Sequence, residues 1–576
     1  MSGVDSGAAT SAADATAALI ASATAWRDQD PDDLTRAELD ALLEPAIAGD
    51  PNALEELKDR FSTRLEFGTA GLRGELGAGS NRMNRVLVGQ AAGGFAAFLT
   101  QRGNTTDDSG RELSVVIGYD GRTNSRVFAE DTAEIMAGAG IRAIILPRML
   151  PTPVLAFAVR HLDASAGVMV TASHNPAADN GYKVYLGDLD GGSQIVPPAD
   201  GLIAEQIEKV AAGSIADLPR STDYEVAGED VLDEYVRLTA ELAGTPAAEV
   251  SVVYTAMHGV GWETARRVFI EAGFGEPAVV TEQIEPDAAF PTVAFPNPEE
   301  PGALDLSFER ATELGAELII ANDPDADRLA IAVPDTSANA GWRRLSGNEV
   351  GALLGWRAAE RLAGSDTDGT LAASIVSSPA LKEIARKYHL DYVDALTGFK
   401  WISRAGGLAY GFEEALGYLV DPQKVRDKDG ISAAVDFLAM TAELKAAGKT
   451  LDDHTSDFAV KFGAFASSQI SLRVSDLAEI PRLMSKLRDT PPATIGEYDV
   501  DSIDDFADGF GSFPPSDILR IWLANGARVI VRPSGTEPKL KVYIDASSID
   551  GSAAERASAA QSVVAGLDAA MRELLA

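Results

Sequence analysis

Residues 318–333 carry the feature that most limits what this chain can become. Leu318-Ile319-Ile320-Ala321 and Leu329 to Val333 are apolar runs of strand length. Between them lies Asn322-Asp323-Pro324-Asp325-Ala326-Asp327-Arg328, which places three carboxylates within five residues. An acidic hairpin tip rarely joins two fully apolar strands, because such strands are buried. Extended alternation predicts that the three side chains share one side, where they repel unless a cation sits among them. A compact set of hard oxygen ligands suits Mg²⁺. A calcium EF-hand does not fit, since its sixth position is Arg328 rather than Gly and its twelfth is Pro334 rather than Glu.

Three further stretches have comparable chemical content. Gly167-Val168-Met169-Val170 leads into Thr171-Ala172-Ser173-His174-Asn175-Pro176. This reads as a buried strand delivering Ser173 to a loop at the sheet edge, with Lys183 on the next strand. Ala409-Tyr410-Gly411-Phe412-Glu413-Glu414-Ala415-Leu416-Gly417 puts two carboxylates at a strand end between glycines, where each can accept hydrogen bonds from sugar hydroxyls. Arg532-Pro533-Ser534-Gly535-Thr536-Glu537-Pro538 lies between two strands and gathers a guanidinium, two hydroxyls and loop amides. That inventory suits a phosphate dianion, yet it lacks the spacing of a nucleotide P-loop. Upstream, Phe67-Gly68-Thr69-Ala70-Gly71-Leu72-Arg73-Gly74 offers glycine amides and a planar cation. Arg426 to Gly430 precedes a helix beginning near Ile431, whose N-terminus favours an anion. Gly259-Val260-Gly261 resembles the start of a dinucleotide site, but Thr264 stands where the third glycine belongs.

Between these stretches the chain alternates strands and helices: Leu113–Ile117, Phe128–Gly138, Ile141–Leu146 and Thr152–Leu162 come before the serine strand. This rhythm predicts largely parallel sheets with right-handed crossovers. Residues 1–64 read as helical, Gly341–Asn348 as a connection and 449–460 as a linker. At 576 residues several domains are expected. The boundaries fall at 1–245, with N-terminal helices and the serine loop; 246–345, with the Asp loop; 346–460, with the Glu loop; and 461–576, with the Arg-Ser-Gly-Thr loop.

A net charge of −38 opposes nucleic acid and anionic membranes, so anions must be gripped by locally gathered cations. The absence of Cys excludes disulfides, thiolate nucleophiles and zinc–thiolate sites. No apolar run approaches the ~20 residues of a membrane span, and the N-terminus lacks the basic n-region of a signal peptide. A cytoplasmic protein is expected, monomeric or dimeric.

Taken in order, the serine, Asp, Glu and Arg loops resemble the four signatures of the α-D-phosphohexomutase superfamily, from about Phe67 to Ile544. The resemblance implies a heart-shaped α/β protein. Three similar domains with mixed or parallel sheets, and a C-terminal α+β domain, would surround one central cleft. Ser173 would be the phosphoserine and, with Asp323, Asp325 and Asp327, a Mg²⁺ ligand. Arg73, His174, Lys183 and Arg328 would line the transfer site, with His174 or Lys183 as general base. Lys400, Glu413 and Arg426 would face the sugar or its phosphate, and Arg532, Ser534, Gly535 and Thr536 would hold the phosphate that does not react. Glucose 1,6-bisphosphate would be intermediate and activator. Ala415 stands where many hexomutases have Ser, so the pattern is closer to a phosphoglucomutase/phosphopentomutase-like branch. The expected activity is interconversion of glucose 1-phosphate and glucose 6-phosphate. The same chemistry on mannose or pentose phosphates, or a Mg²⁺-dependent serine phosphatase, is the alternative.

Overall fold

The computed structural model describes residues 5–67, 71–106, 112–365, 367–474, 476, 478–534 and 539–575. They form two compact units. One contains the chain up to Thr245, Val250–Arg344 and the later segment Gln423–Val435; the other contains Pro246–Glu249, Leu345–Pro422 and the chain from Asp436 onward.

The first unit holds two sheets. Its larger sheet runs Leu72–Glu75, Asp179–Leu186, Ala166–Val170, Ser114–Tyr119, Arg142–Ile145, Glu225–Val226 in space, with Ser193–Gln194 added beside Asp179–Leu186. The expected parallel core is present: Ser114–Tyr119 pairs in parallel with both Ala166–Val170 and Arg142–Ile145. Asp179–Leu186 instead runs antiparallel to Ala166–Val170. A short return, rather than a crossover helix, therefore carries the chain from the serine loop to Lys183, and both face the same end of the sheet. Every residue of Ala166–Val170 and Ser114–Tyr119 is buried, as expected of strands covered on both faces. Helices Arg85–Thr106, Ser125–Gly138 and Thr152–His161 supply the cover, packing Leu87, Phe95, Phe128, Met136 and Val154 inward.

The N-terminal helices Asp5–Gln29, Asp33–Ile47 and Pro51–Phe61 bury Trp26, Leu39, Leu43 and Leu57 in the same core. Asp32 and Asp50 cap the second and third by accepting from Leu34 and from Asn52 and Ala53 amides.

The second sheet is ordered Trp342–Arg344, Leu329–Pro334, Leu318–Asn322, Val252–Thr255, Ala278–Val279. Trp342–Arg344 lies in what the sequence suggested was a connection. Trp342 supplies the missing reason for a strand, burying its ring and donating its indole N–H to Thr312.

The second unit also holds two sheets. Asp391–Ala395, Thr370–Ser374 and Leu408–Glu413 are parallel, with Gly417–Leu419 antiparallel at the edge. The six-stranded sheet Ala464–Arg473, Lys539–Ser548, Arg528–Pro533, Leu519–Leu523, Tyr498–Asp505, Thr494–Ile495 is antiparallel throughout, backed by helices Glu479–Asp489 and Ala553–Leu575. The stretch read as a linker is the helix Leu451–Phe462. Thr450 and Asp453 close a reciprocal capping box, and Phe458 and Phe462 are buried. Polar residues on its outer turns had masked that apolar face.

Candidate active site

The serine loop is held in a conformation that costs energy. Ser173 has φ 53°, a left-handed geometry that non-glycine residues rarely adopt. Its N–H donates to Thr171 Oγ1 at 2.8 Å. The principal restraint is Arg122, which the sequence reading gave no role. Its Nη2 donates to Ser173 O and Asn175 O, both at 2.6 Å, and its Nη1 to Pro176 O at 2.8 Å and Asp179 O at 3.0 Å. Asp120 pairs with the same guanidinium at 3.4 Å, and the Phe290 ring lies 4.9 Å from it. A fork of donors aimed at loop carbonyls is what Arg can provide and Lys cannot. The sequence signal was Asp120-Gly121-Arg122 at the end of a buried strand.

The Asp loop meets Ser173 directly. Ser173 Oγ lies 3.2 Å from Asp323 Oδ2 and 3.2 Å from His174 Nδ1. Asp323, Asp325 and Asp327 are fully buried, and each offers an oxygen within 4.8 Å of the others'. The convergence does not come from extended alternation. A tight turn folds the loop, with Ala326 at φ 55° and its N–H on Asp323 O at 2.8 Å. Neighbours fix this turn from two sides. Gly259 packs so closely that a Cβ there would meet Pro324 Cα at 2.2 Å, and Val260 N–H donates to Pro324 O at 2.9 Å. The glycines that resembled a dinucleotide turn thus make room for the Asp loop. Thr152 fixes Asp325 twice, through its hydroxyl at 2.7 Å and its amide at 2.9 Å.

Cations face the carboxylates. Lys183 Nζ is 2.7 Å from Asp325 Oδ2 and 2.9 Å from Asp327 Oδ2; Lys428 Nζ is 3.2 Å from Asp327 Oδ2. Arg328 Nε stands 3.9 Å from both Asp323 and Asp327, and its amide donates to Asp323 Oδ1 at 3.0 Å. Arg73, on Leu72–Glu75, reaches Asn175 Oδ1 at 3.4 Å. Lys428 was not among the residues expected here. It arrives with Gln423–Val435, which Asp427 anchors by accepting from Tyr185 at 2.8 Å and Gln194 at 2.6 Å.

These charges sort the protonation states. Burial, then Asp325 and Asp327, pushes Asp323 well above the usual carboxylate range. Burial also opposes the charge on Asp327, but Lys183, Lys428 and Arg328 overcome it and hold its pKa far down. Burial likewise opposes the Lys183 ammonium, and the two aspartates outweigh it, so Lys183 keeps its proton. Burial, Arg328 and Arg73 drive His174 well below its ordinary value, leaving a neutral imidazole beside the serine. Phe295 faces that imidazole with ring centroids 6.0 Å apart.

Arg426 also lies in this unit, beside Arg160, and burial followed by that neighbour lowers its pKa. The helix Gly430–Ala446 does not present free amides to an anion. Asp429 already accepts from Ile431 N–H at 3.2 Å and Ser432 N–H at 2.9 Å, and Tyr235 and Lys424 bind the same carboxylate.

The remaining expected site residues belong to the other unit. Lys400 and Glu413 are buried, Glu413 at the end of Leu408–Glu413. Glu414, read as a second sugar contact, is committed internally: its Oε2 accepts from Ser374 at 2.9 Å and Ser377 at 3.1 Å. Arg532 is half-buried on Arg528–Pro533, and Ser534 N–H donates to Lys539 O at 2.8 Å. Gly535 and Thr536 lie outside the described residues.

A buried serine against a carboxylate triad, ringed by Arg, Lys and a neutral His, on repeated α/β sheets followed by an antiparallel one, defines a phosphoryl-transfer protein. The chain belongs to the phosphoglucomutase/phosphomannomutase family of the α-D-phosphohexomutase superfamily. All four of its domain models match: α/β/α domains I, II and III over residues 64–213, 233–336 and 346–462, and the C-terminal domain over 470–561. It is accordingly an enzyme of the phosphomutase type, an intramolecular phosphotransferase.

A Haemophilus influenzae protein named "Probable phosphomannomutase" is 57% identical over 493 residues, which cover 86% of this chain and 98% of that protein. Human phosphopentomutase is 34% identical, covering 85% and 86%. Among solved structures, the open form of the Paramecium phosphoglucomutase parafusin superposes with TM-score 0.65 at 19% identity, covering 88% and 96%. Among the described residues no helix is long and apolar enough to cross a membrane.

Proposed function

We propose that this chain interconverts glucose 1-phosphate and glucose 6-phosphate through phosphoserine 173 and a sugar bisphosphate. The observation that carries the phosphoserine chemistry is the approach of Ser173 Oγ to Asp323 Oδ2 at 3.2 Å among buried carboxylates that Lys183 and Lys428 face. A divalent metal fits the donor set. Asp325 Oδ1 and Asp327 Oδ1 are buried without a hydrogen-bond partner, and such orphaned oxygens are costly unless something claims them. Asp323, Asp325, Asp327 and the phosphoserine would hold Mg²⁺, whose chemistry is to neutralise charge on the phosphoryl group in flight.

The chain's own residues supply the rest. The P–O bond to Ser173 breaks as one forms to the sugar's free hydroxyl, giving the bisphosphate; the reverse exchange at the other position regenerates phosphoserine. The hydroxyl proton needs an acceptor, and the candidates are His174, whose Nδ1 lies 3.2 Å from Ser173 Oγ, and Lys183. Arg73, Lys183, Lys428 and Arg328 would set positive charge around the equatorial oxygens in a buried site. Lys400, Glu413 and Arg426 are assigned to the sugar and its phosphate, and Arg532, Ser534, Gly535 and Thr536 to the distal phosphate.

A pentose reading has specific support in Ala415, which offers no hydroxyl to a hexose, and in the phosphopentomutase relatives. The H. influenzae relative's name supports mannose in the same way. A panel of glucose, mannose and ribose phosphates, with and without the matching bisphosphate, ranks the three. Release of inorganic phosphate without isomer would replace the mutase reading with a phosphatase.

A further inference from the structure

The second unit contains a buried polar chain that no step above uses. It starts at Arg528, 4% exposed, on the strand that also carries Arg532. Arg528 Nε donates to Asp545 Oδ2 at 2.9 Å, and Asp545 also accepts from Ser467 at 2.6 Å. Arg528 Nη2 leaves its own sheet and donates to the carbonyl of Ser377. The Ser377 hydroxyl accepts from Glu414 N–H at 3.0 Å, lies 2.8 Å from Ser374 Oγ and donates to Glu414 Oε2 at 3.1 Å. Glu414 follows Glu413 directly. Beside this path Ile375, Val376, Leu396, Phe506, Ile518, Ile530 and Tyr543 form one apolar cluster shared by the two sheets.

Arg528 and Arg532 are four residues apart on one strand, so they share a face about 13 Å apart at strand rise. One end of that strand is therefore assigned to a phosphate, and the other is tied to the loop assigned to sugar hydroxyls. An Arg–Asp pair this deep is a weak way to gain stability, but a fork with fixed donors is a good way to fix a distance. The loop side is closely packed too: Gly347 passes so close to Glu414 that a Cβ would meet its carbonyl oxygen at 1.9 Å.

We infer that Arg528 is a positioning residue that sets the separation between the phosphate grip at Arg532 and the hydroxyl grip at Glu413, and thereby selects sugar-phosphate length. This rests on the mutase reading. The expected ligand class is a phosphate held at one end with a hydroxyl ring at a set distance, so hexose and pentose phosphates should be discriminated here.

The test compares wild type, Arg528→Lys and Ser377→Ala. Arg528→Lys keeps a charge for Asp545 but loses the planar fork. Ser377→Ala keeps the carbonyl that Arg528 uses and removes the hydroxyl beside Glu414. For each, kcat/KM is measured with hexose and pentose monophosphates, together with the rate at which Ser173 is phosphorylated by bisphosphate. Both variants should shift the hexose-to-pentose ratio by about tenfold, chiefly through KM, with Ser173 phosphorylation little changed. A proportional loss on both sugars would mean a merely structural role and overturn the inference. Retention of the wild-type ratio would do the same. If wild type itself isomerises none of these sugars, the mutase reading has failed, and it fails separately from this one.

Discussion

Replacing Arg122 by Lys tests whether loop geometry controls this site. Arg122 donates four hydrogen bonds to carbonyls within seven residues of the serine loop, and its side chain is 1% exposed. A lysine ammonium can still pair with Asp120, which avoids leaving a lone buried carboxylate. It has three donors on one nitrogen at the end of a flexible four-carbon stem and cannot serve carbonyls on two sides. Losing two of the four bonds, each worth about 1.5–3 kcal/mol as a bond from a charged donor, gives roughly 3–6 kcal/mol. Pro176 and Asp179 are half-buried, so water can recover part of this, and about 2–4 kcal/mol is the expected loss of stability. Ser173 would then relax from its left-handed backbone, moving Oγ off Asp323. A displacement near 1 Å costs about 100-fold in rate. Arg122→Lys should therefore lower Tm and reduce kcat about 100-fold at nearly unchanged KM. Thermal denaturation, a coupled isomerisation assay and intact-mass detection of phosphoserine read these out. A folded variant with wild-type kcat would refute the claim that the clamp positions the serine.

Ser173→Ala should abolish isomerisation while sugar-phosphate binding by calorimetry persists; residual turnover above background would remove the serine from its role. Added Mg²⁺ should raise the Tm of wild type, by about 2.7 kcal/mol of stabilisation at a hundredfold excess over Kd, because a cation relieves three crowded carboxylates. Asp325→Asn should blunt that rise and lower kcat together, and an unaltered Mg²⁺ response would count against the ligand set. Phe295→Ala should open the His174 side to water, raising inorganic phosphate release relative to isomer formation; an unchanged ratio would deny the ring a shielding role. Arg532→Ala should act mostly on KM, since the phosphate it is assigned does not react.

What could be read from the sequence was whatever had a local signature. Ala166–Val170 and Leu318–Ala321 announce themselves as unbroken apolar runs, and the loops at their ends follow from turn residues. Ser173 and the three aspartates were legible because hydroxyl and carboxylate chemistry is concentrated there. Arg122, Thr152 and Lys428 were not, because their importance lies in partners 51, 173 and about 100 positions away, which no window contains. The helix Leu451–Phe462 was obscured by Asp and Thr residues that are cap and surface rather than linker. The Asp triad was expected to converge by strand alternation. It converges by a turn with Ala326 in a left-handed conformation, which alanine's identity does not advertise.

The return of Gln423–Val435 to the first unit has a practical consequence for anyone recombining genes of this family. The chain builds most of its third α/β region before sending thirteen residues back to set Lys428 against Asp327 and Asp427 against Tyr185. A fragment ending at Arg344 would lack the Lys428 partner of Asp327 and the Asp427 partner of Tyr185. A chimera that imported a foreign third region whole would replace those partners along with the sugar loop. Splice points for exchanging substrate preference therefore belong on either side of this segment, so that the graft leaves it native.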